Sequence, residues 1–572
     1  MMASEQQTVV PDRDEHGAPV TTHEPAGWPW RRLRHHPWSV RHRGWLLPVL
    51  VAVLLVQMAV AMVTTAVRQT PTIDEPVYVG TAAVYLHEHS LRYNPEHPPL
   101  GKLVIAVGVA LADPHVDTSF TGDQGRFGRH LLYESGNDPW RLMLWARLPV
   151  IALTLLFGLV VFGFARELAG ARGAVAALAL YAFSPDVIAH GSLATLDVPV
   201  TGFLLTSVWL LWRARRRPRL WLPLAGVALG AALATKMTAL PAVPVLMLLA
   251  AVSAWRGRPP ADRRAALLRA AAGAAVVALA AVAVVWAAYL VVDPRLRWTS
   301  AQHVPAVHGL REILVRLLPF PEAYRDGMRI QFGFENEPWQ GFLFGRLYTG
   351  SLWYYLPAAL LVKTPLGMLA LWAAGAVALV TVRRLRAAVP YLLVPTAVLL
   401  AAAMQGSRDF GTRYALFVPV FLAVAAGCAA AVRWRWGPAV TGALVLFVAV
   451  SSLRTYPLYL PYSNEAFGGP AQTHLRLHDS NVDWGQDLGR LADRLRERYR
   501  GEPVWLVYKG SGVPSYYGIH ARDPRAVPVR EVHGLLVVSD SAVAKAKGRL
   551  AELIAGSRAI DEVGHSITVY RR

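Results

Sequence analysis

The sequence has little charge for its length and almost no cysteine. Charged residues make up 17% of the 572 residues, whereas a soluble globular chain carries about 25%. This shortage of charge excludes one large water-soluble domain as the whole structure. The single cysteine, Cys428, lies within an apolar stretch, so a disulfide framework is excluded as well.

Lysine is also scarce, with six residues in a chain whose lysines and arginines together number 58. The formal net charge is +20, and strong basicity often indicates nucleic-acid binding. Here, however, the arginines form short clusters between apolar stretches, such as RARRRPR and RGRPPADRR. Because this distribution is typical of the cytoplasmic loops of membrane proteins, we expect no nucleic-acid partner.

Apolar stretches are abundant: hydrophobic residues make up 54% of the chain and the mean hydropathy is +0.32. Stretches of roughly 20 residues are long enough to cross about 30 Å of hydrocarbon. We therefore predict a mainly α-helical, polytopic membrane protein with about eleven transmembrane helices. The predicted spans are residues 45–67, 144–164, 173–188, 198–212, 220–234, 240–255, 267–292, 365–382, 391–404, 414–432 and 439–450.

Loop charge sets the predicted topology. Residues 1–44 form a basic tail that we expect to be disordered and cytoplasmic, and the first span is too long for the core of a signal peptide. With this tail inside, every arginine cluster falls in the cytoplasm. The same alternation places loops 68–140 and 293–356, and everything after residue 453, outside the cell membrane. Cytoplasmic loops are short, so function is expected outside.

The C-terminal segment differs in composition from the rest. VWLVYKG and GLLVVSD are typical of short strands, whereas DLGRLADRLRERY and AVAKAKGRLAELIAG are typical of amphipathic helices. We therefore predict two parts, a membrane domain over residues 45–453 and a small extracytoplasmic α/β domain over residues 454–572.

Three carboxylates lie on the predicted outer side. Asp74 and Glu75 follow the first span within PTIDEPVYVG, and Asp197 begins a later span within HGSLATLDVPV. A carboxylate at the end of a span is costly and often functional. The alternative is ordinary helix capping, in which the side chain accepts from free backbone amides. Local sequence does not decide between the two.

Four cations also fall on the outer side, where they do not serve the positive-inside rule. They are Lys102, Lys236, Lys363 and Arg413. One alternative is that they snorkel toward lipid headgroups. A group of cations at one membrane level instead favours binding of a lipid-linked phosphate. Acids beside such cations predict group transfer, because a carboxylate can deprotonate an acceptor hydroxyl and the cations can neutralise a departing phosphate.

These residues resemble a known family. The order Asp74-Glu75, HPPLGK at residues 97–102, Asp197 and Lys236 resembles glycosyltransferase family 39, the protein O-mannosyltransferase type. The bacterial aminoarabinose transferases are similar in outline. SNEAFGGP and DSNVDWGQDL resemble bacterial members with an outer domain, whereas AHGSLATLD lacks the arginine of the eukaryotic protein-modifying branch.

The resemblance implies that Asp74 is catalytic, that Asp197 lies across the same cavity and that Lys236 lies near the donor phosphate. We therefore expect transfer of a sugar, mannose or a similar hexose, from a polyprenyl-phosphate donor to a hydroxyl of a protein, lipid or glycan acceptor, with inversion. The catalytic candidates are Asp74, Glu75 and Asp197. The substrate-binding candidates are His97, Lys102, Lys236, Lys363, Arg413 and Tyr414.

Two questions stay open at this point. A divalent cation held by Asp74 and Asp197 is a further possibility, because hard cations prefer oxygen ligands. The alternative function is a secondary transporter. Transporters place ionisable groups near the bilayer midplane and between repeats, whereas here the acids flank spans and no internal repeat is evident.

Overall fold

The computed structural model describes residues 37–256 and 262–572, with side chains described from residue 45 onward except at residue 256. Almost all of the predicted cytoplasmic tail, residues 1–44, therefore lies outside the described residues. Residues 1–49 and residues 50–572 form two units by their internal contacts. Of the first unit, only the start of one helix is described. Every contact reported below lies within residues 50–572.

The chain is mainly α-helical, and proline at the first position, which suits a helix start, begins several of the helices. The first ten helices are α1 (Pro37–Arg68), α2 (Glu75–His87), α3 (Pro99–Ala112), α4 (Gln124–Tyr133), α5 (Pro139–Ala182), α6 (Pro185–Gly191), α7 (Asp197–Ala214), α8 (Pro218–Thr235), α9 (Ala242–Arg256) and α10 (Arg263–Val292).

Ten further helices follow. They are α11 (Leu310–Leu317), α12 (Glu322–Phe334), α13 (Tyr355–Lys363), α14 (Leu366–Thr381), α15 (Val389–Ala403), α16 (Phe417–Gly427), α17 (Gly437–Thr455), α18 (Leu488–Arg498), α19 (Asp540–Ala544) and α20 (Arg549–Ala555).

Every predicted span contains helix, but the number of spans is supported only in part. Among the described residues, six helices are long and apolar enough to cross a membrane, in α1, α5, α8, α10, α15 and α17. A seventh is possible if α13 and α14, which meet at 117°, count as one broken span. α9 and α16 are apolar but shorter. α7 has 18 residues, but Asp197 and Arg213 lie at its two ends.

The predicted spans 144–164 and 173–188 fall largely on one long helix, α5. Gly170 interrupts it with φ 73° and ψ −170°, values outside the helical region. Glycine reaches positive φ without the steric cost that a Cβ atom imposes. The kink therefore lies between the two predicted spans, and α5 consists of two helices that meet there.

A five-stranded sheet forms the C-terminal part. Its strands are β3 (Val504–Val507), β4 (Ala521–Arg522), β5 (Leu535–Ser539), β6 (Arg558–Val563) and β7 (Ile567–Arg571). They lie in the order β4–β3–β5–β7–β6. A hairpin of β1 (Gln340–Leu343) and β2 (Arg346–Thr349) precedes it in the chain. β3 is parallel to β4 and β5, whereas β7 is antiparallel to β5 and β6.

Both predicted C-terminal strands are present, as β3 and β5, and α18 matches the first predicted helix. The second predicted helix, AVAKAKGRLAELIAG, is wrong as a single helix, because α19 and α20 are separate and Gly548 between them has φ 52°. The hairpin of β6 and β7 was not predicted. One face of the sheet packs on α18 around Leu491, and the other packs on α20 around Leu553.

Residues 456–487, here called the connecting segment, join α17 to α18 and contact the helical part repeatedly. The backbone amides of Thr70 and Ile73 donate to the carbonyls of Gln486 and Trp484, each at 3.0 Å. The side-chain nitrogen of Asn464 donates to the carbonyls of Leu361 at 2.7 Å and Thr364 at 2.8 Å. The connecting segment is thereby fixed beside the residues that precede α2.

Candidate active site

One cavity of about 230 Å³ collects most of the predicted site. Its walls come from separate parts of the chain: the start of α2, the turn before α3, the residues after α8, α12, and the loop before α16. It is lined by Asp74, Val77, Tyr78, Asn94, Glu96, His97, Gln124, Lys236, Thr238, Gln331, Phe334, Trp339, Arg408, Phe410, Arg413 and Tyr414.

Asp74 and Arg413 form an ion pair in this cavity. Arg413 Nη1 donates to Asp74 Oδ2 at 2.6 Å, across 339 residues of sequence. The guanidinium lies over the rings of Tyr414 at 5.0 Å and Trp484 at 4.4 Å. Oδ1 of Asp74 accepts no hydrogen bond from the described residues, and the side chain is 27% exposed. One carboxylate oxygen thus remains open to a ligand.

Asp197 and Lys236 form a second ion pair. Lys236 Nζ donates to Asp197 Oδ1 at 2.6 Å, and both residues are buried. Lys236 follows the end of α8 in an extended conformation, and its Nζ lies 5.6 Å from the ring of Tyr414. Lys236 lines the cavity, and Asp197 fixes its ammonium there.

Glu75 has entirely different surroundings from its neighbour Asp74. It is fully buried, and Arg147 Nε and Nη2 each donate to its carboxylate at 2.7 Å. The amide of Ala194 at 2.8 Å and both the amide and hydroxyl of Thr72 also donate to it. Arg147 in turn donates to backbone carbonyls that end α1. Glu75 does not line the cavity, and its oxygens are occupied by protein donors.

Lys102 supports the cavity wall from behind. Its buried Nζ donates to the carbonyl of Asn94 at 2.7 Å, to Asn94 Oδ1 at 3.2 Å and to the carbonyl of His97 at 2.6 Å. These three bonds use all three ammonium protons. Lys102 therefore closes the turn that places the imidazole of His97 in the cavity.

The rings of His97 and Tyr78 pack in an edge-to-face arrangement, with their centroids 5.8 Å apart. Its Nδ1 is buried without a hydrogen-bond partner in the described part of the chain. Burial, reinforced by the positive charges of Lys236 and Lys102, holds the pKa of His97 well below its ordinary value. The neutral form of the ring is therefore favoured, and a neutral imidazole can accept a hydrogen bond.

Lys363 lies elsewhere, outside the set of residues that line the cavity. Its Nζ donates to the carbonyls of Leu460 at 2.5 Å and Asn481 at 3.0 Å, and Asp186 lies 3.4 Å away. Two of these partners belong to the connecting segment. The contacts join α13 to that segment.

Several lining residues were not anticipated from the sequence. Arg408 Nη2 donates to Gln331 Oε1 at 2.7 Å and to Glu335 Oε1 at 3.0 Å. Glu96 accepts from the side-chain amides of Gln124 and Gln302. Arg408 lies five residues before Arg413 in the same predicted outer turn, so the reasoning applied to Arg413 could have identified it. Nothing in the segment NPEHPPLGK indicated that Glu96 would line a cavity.

Part of the chain that contributes residues to this cavity matches a known protein family. Residues 51–293 match the model of a family described as dolichyl-phosphate-mannose-protein mannosyltransferase. Residues 51–293, somewhat less than half of the chain, are therefore similar to this glycosyltransferase family. The match covers Asp74, Asp197 and Lys236. It confirms the resemblance found in the sequence.

Solved structures of glycosyltransferases also align with the chain. ArnT from Cupriavidus metallidurans in the apo state shares 16% identity over 93% of this chain and 98% of that chain, with a TM-score of 0.45. The same protein bound to undecaprenyl phosphate shares 17% identity over 92% and 98%, with a TM-score of 0.44. The S. cerevisiae Pmt1-Pmt2 complex bound to the sugar donor shares 22% identity over 44% of this chain and 33% of that chain, with a TM-score of 0.35. No curated protein matches at a significant level.

Proposed function

We propose that the chain transfers a sugar, mannose or a similar hexose, from a polyprenyl-phosphate donor to an acceptor hydroxyl on the outer side of the cell membrane. The observation that carries this proposal is the Asp74 carboxylate, with one open oxygen, in a cavity shared with Lys236, Arg408 and Arg413. The family match supports the same chemistry, since its description names a dolichyl-phosphate-mannose donor.

The cations are suited to a lipid phosphate. The Nε atoms of Arg408 and Arg413 are both buried and have no hydrogen-bond partner among the residues described. An unpaired buried donor is costly, so these two N–H groups favour an anionic ligand between them. Lys236 adds a positive charge to the same cavity. Together they would neutralise the charge that develops on the departing phosphate.

Asp74 is the proposed base. In one displacement step the acceptor oxygen bonds to the anomeric carbon, and its proton passes to Asp74 Oδ1 as the bond to the phosphate oxygen breaks. The phosphate leaves with the bonding electron pair. A single displacement inverts the anomeric centre, by analogy with glycoside chemistry. Glu96, Gln124 and Gln331 provide polar groups that suit the hydroxyls of a sugar.

Three of the predicted site residues receive revised roles in this proposal. Glu75, Lys102 and Lys363 have all their hydrogen-bonding groups directed at protein partners, so we assign them to positioning rather than to substrate. Glu75 holds the start of α2, Lys102 holds the turn before α3 and Lys363 holds the connecting segment. Asp197 positions Lys236. A metal ion between Asp74 and Asp197 would have to displace the arginine and the lysine that already pair with them.

The test is transfer of labelled hexose from synthetic polyprenyl-phosphate donors by the purified chain, with several hexoses tried and native membrane extract as the source of acceptor. Asp74→Asn should lower turnover by about 10² to 10⁴-fold, the usual range for loss of a general base. Donor affinity should change little, because the cations remain.

Asp138→Asn is the matched control. Asp138 caps α5 by accepting from the amide of Trp140, and asparagine caps equally well. It does not line the cavity, so turnover should match the wild type. Turnover of Asp74→Asn within tenfold of the wild type, at normal protein level, excludes Asp74 as the base. Absence of transfer from every polyprenyl-phosphate donor by the wild type contradicts the proposed function itself.

A further inference from the structure

A second group of side chains with possible ligand atoms lies in the C-terminal part, away from the cavity. His474 belongs to the connecting segment, Asp540 begins α19 directly after β5, and Glu562 lies on β6. One potential metal-ligating atom from each lies within 4.8 Å of the others. Three elements that are distant in sequence thus place an imidazole and two carboxylates close together.

Two of these side chains each contain one buried atom that has no hydrogen-bond partner among the described residues. Asp540 is 3% exposed, and its Oδ2 has no hydrogen-bond partner in the described part of the chain. The Nδ1 of His474 is also buried and has no hydrogen-bond partner among the residues that the structure describes. Burying a polar atom unpaired costs about 1–3 kcal/mol, and more for a charged group. The two unsatisfied atoms therefore favour a ligand that both can contact.

The remaining contacts orient the same side chains. The hydroxyl of Thr568 donates to Asp540 Oδ1 at 2.6 Å, which leaves the other oxygen of that carboxylate for a ligand. His565 Nδ1 lies 3.0 Å from Glu562 Oε1. Metal ligands in proteins usually have such outer partners, which fix ligand orientation and basicity.

We propose that His474, Asp540 and Glu562 bind one divalent cation of the zinc class. Imidazole nitrogen together with carboxylate oxygen is a ligand set that Zn²⁺ accepts, with distances of about 2.0–2.2 Å and often a water in the fourth position. Two carboxylates balance the charge of the ion. The ligand atoms must draw closer on binding, which the half-buried side chains of His474 and Glu562 can do by rotation.

The cation would fasten the connecting segment to the sheet. His474 lies on the segment, whereas Asp540 and Glu562 lie on the sheet side. The same segment carries Trp484, whose ring lies 4.4 Å from the Arg413 guanidinium. This role is structural and does not depend on the sugar or the acceptor, so it goes beyond the proposed function.

The experiment measures bound zinc in the purified full-length chain without a histidine tag. The protein is stripped with a chelator, reloaded with Zn²⁺, desalted and assayed by elemental analysis and thermal melting. We expect Asp540→Asn to hold one equivalent fewer than the wild type and to lose the zinc-dependent rise in melting temperature. Zinc affinity at this site should fall by at least about 10 to 100-fold, the range seen even for outer partners.

Glu562→Gln is the second variant, needed because Asp540 is buried and its substitution could prevent folding. It should show the same loss of one equivalent. His520→Gln is the control, since His520 is exposed in the same part of the chain and should leave zinc binding unchanged. Mn²⁺ in place of Zn²⁺ tests the metal class. Equal zinc content in the wild type, Asp540→Asn and Glu562→Gln overturns the proposal, and so does a wild type that binds no zinc.

Discussion

Asp74 and Glu75 are consecutive carboxylates with opposite surroundings. Asp74 keeps one oxygen open to the cavity and pairs with Arg413, whereas Glu75 is fully buried against Arg147. They face different ways because Asp74 precedes the first turn of α2 and Glu75 is its first residue. Asp74 is the candidate for the reaction and Glu75 holds the start of α2. A substitution at one of them therefore says nothing about the role of the other.

Sequence reasoning found the charged residues of the site but not their roles. Asp74, Lys236 and Arg413 were identified because they are charges on the outer side that topology does not require, and all three line the cavity. Lys102 and Lys363 carried the same signal but contact backbone carbonyls instead. The difference depends on which carbonyls lie nearby in three dimensions, and a single sequence does not contain that information.

Lys236 offers a residue-scale test that separates donor binding from packing. Lys236→Ala alone is ambiguous, because it leaves Asp197 buried without a partner, a change that costs about 3–5 kcal/mol. We therefore compare Asp197→Asn with the double variant Asp197→Asn/Lys236→Gln. The single variant keeps the ammonium and should retain donor affinity within a few-fold. The double variant should bind the donor about 10 to 100-fold more weakly, from loss of charge-assisted hydrogen bonds worth about 1.5–3 kcal/mol.

The measurement is the dissociation constant for polyprenyl-phosphate hexose in purified protein, with the melting temperature recorded alongside. Neither variant leaves a buried carboxylate unpaired. If both bind the donor equally well, Lys236 only holds Asp197 in place, and the phosphate site must be assigned to the two arginines.

At the scale of elements, the loop before α16 depends on the connecting segment. The amide and hydroxyl of Ser480 both donate to the carbonyl of Phe410, and the amide of Thr412 donates to Asn481 Oδ1 at 3.1 Å. Gly411 lies between these contacts with φ 149°. A Cβ atom there would lie 2.2 Å from Ser480 Oγ. The connecting segment therefore shapes the turn that presents Arg413.

Gly411→Ala should separate the two elements and misplace Arg413. Turnover should fall by about 10²-fold, the effect of displacing a catalytic group by roughly 1 Å. Gly501→Ala is the matched control, since Gly501 has φ 81° but nothing within 4 Å of its added Cβ. Both variants carry backbone strain of about 1–2 kcal/mol. If Gly411→Ala and Gly501→Ala lower turnover equally, backbone strain alone explains the loss, and the contact with Ser480 does not.

The helices were the most predictable elements, and their breaks the least. Apolar blocks correctly located helical segments, and clusters of arginine separated them. Gly170 lies at a kink within α5, and Pro365 lies at the bend between α13 and α14. Composition alone did not distinguish these two breaks from loops that connect complete spans. In the sheet, β3 and β5 were predicted from the short apolar runs in VWLVYKG and GLLVVSD, whereas β6 and β7 were missed because RAIDEV and ITVYR are short and partly polar. Their pairing with each other and with β5 comes from tertiary contact.

At the scale of the whole molecule, topology is the open prediction. Loop charge places the C-terminal sheet outside and the RARRRPR loop inside. Cysteine at an exposed position on each side tests this, with Arg216→Cys and Lys547→Cys placed singly in a Cys428→Ala background. Position 547 should react with an impermeant maleimide in intact spheroplasts, and position 216 only after lysis. Labelling at position 216 and protection at position 547 in intact spheroplasts would contradict the predicted orientation.

The separation of Asp74 from its partners along the chain has a consequence for biosynthesis. Arg413 follows Asp74 by 339 residues, and the hydroxyl of Ser511 donates to the carbonyl of Ile73, the residue before Asp74, across 438 residues. A ribosome therefore makes the proposed base early and its partners late. Until nearly all of the chain has been translated and inserted, the growing polypeptide has no site in which to consume donor lipid. A product that ends at a premature stop codon before Arg413 should be inert rather than partly active.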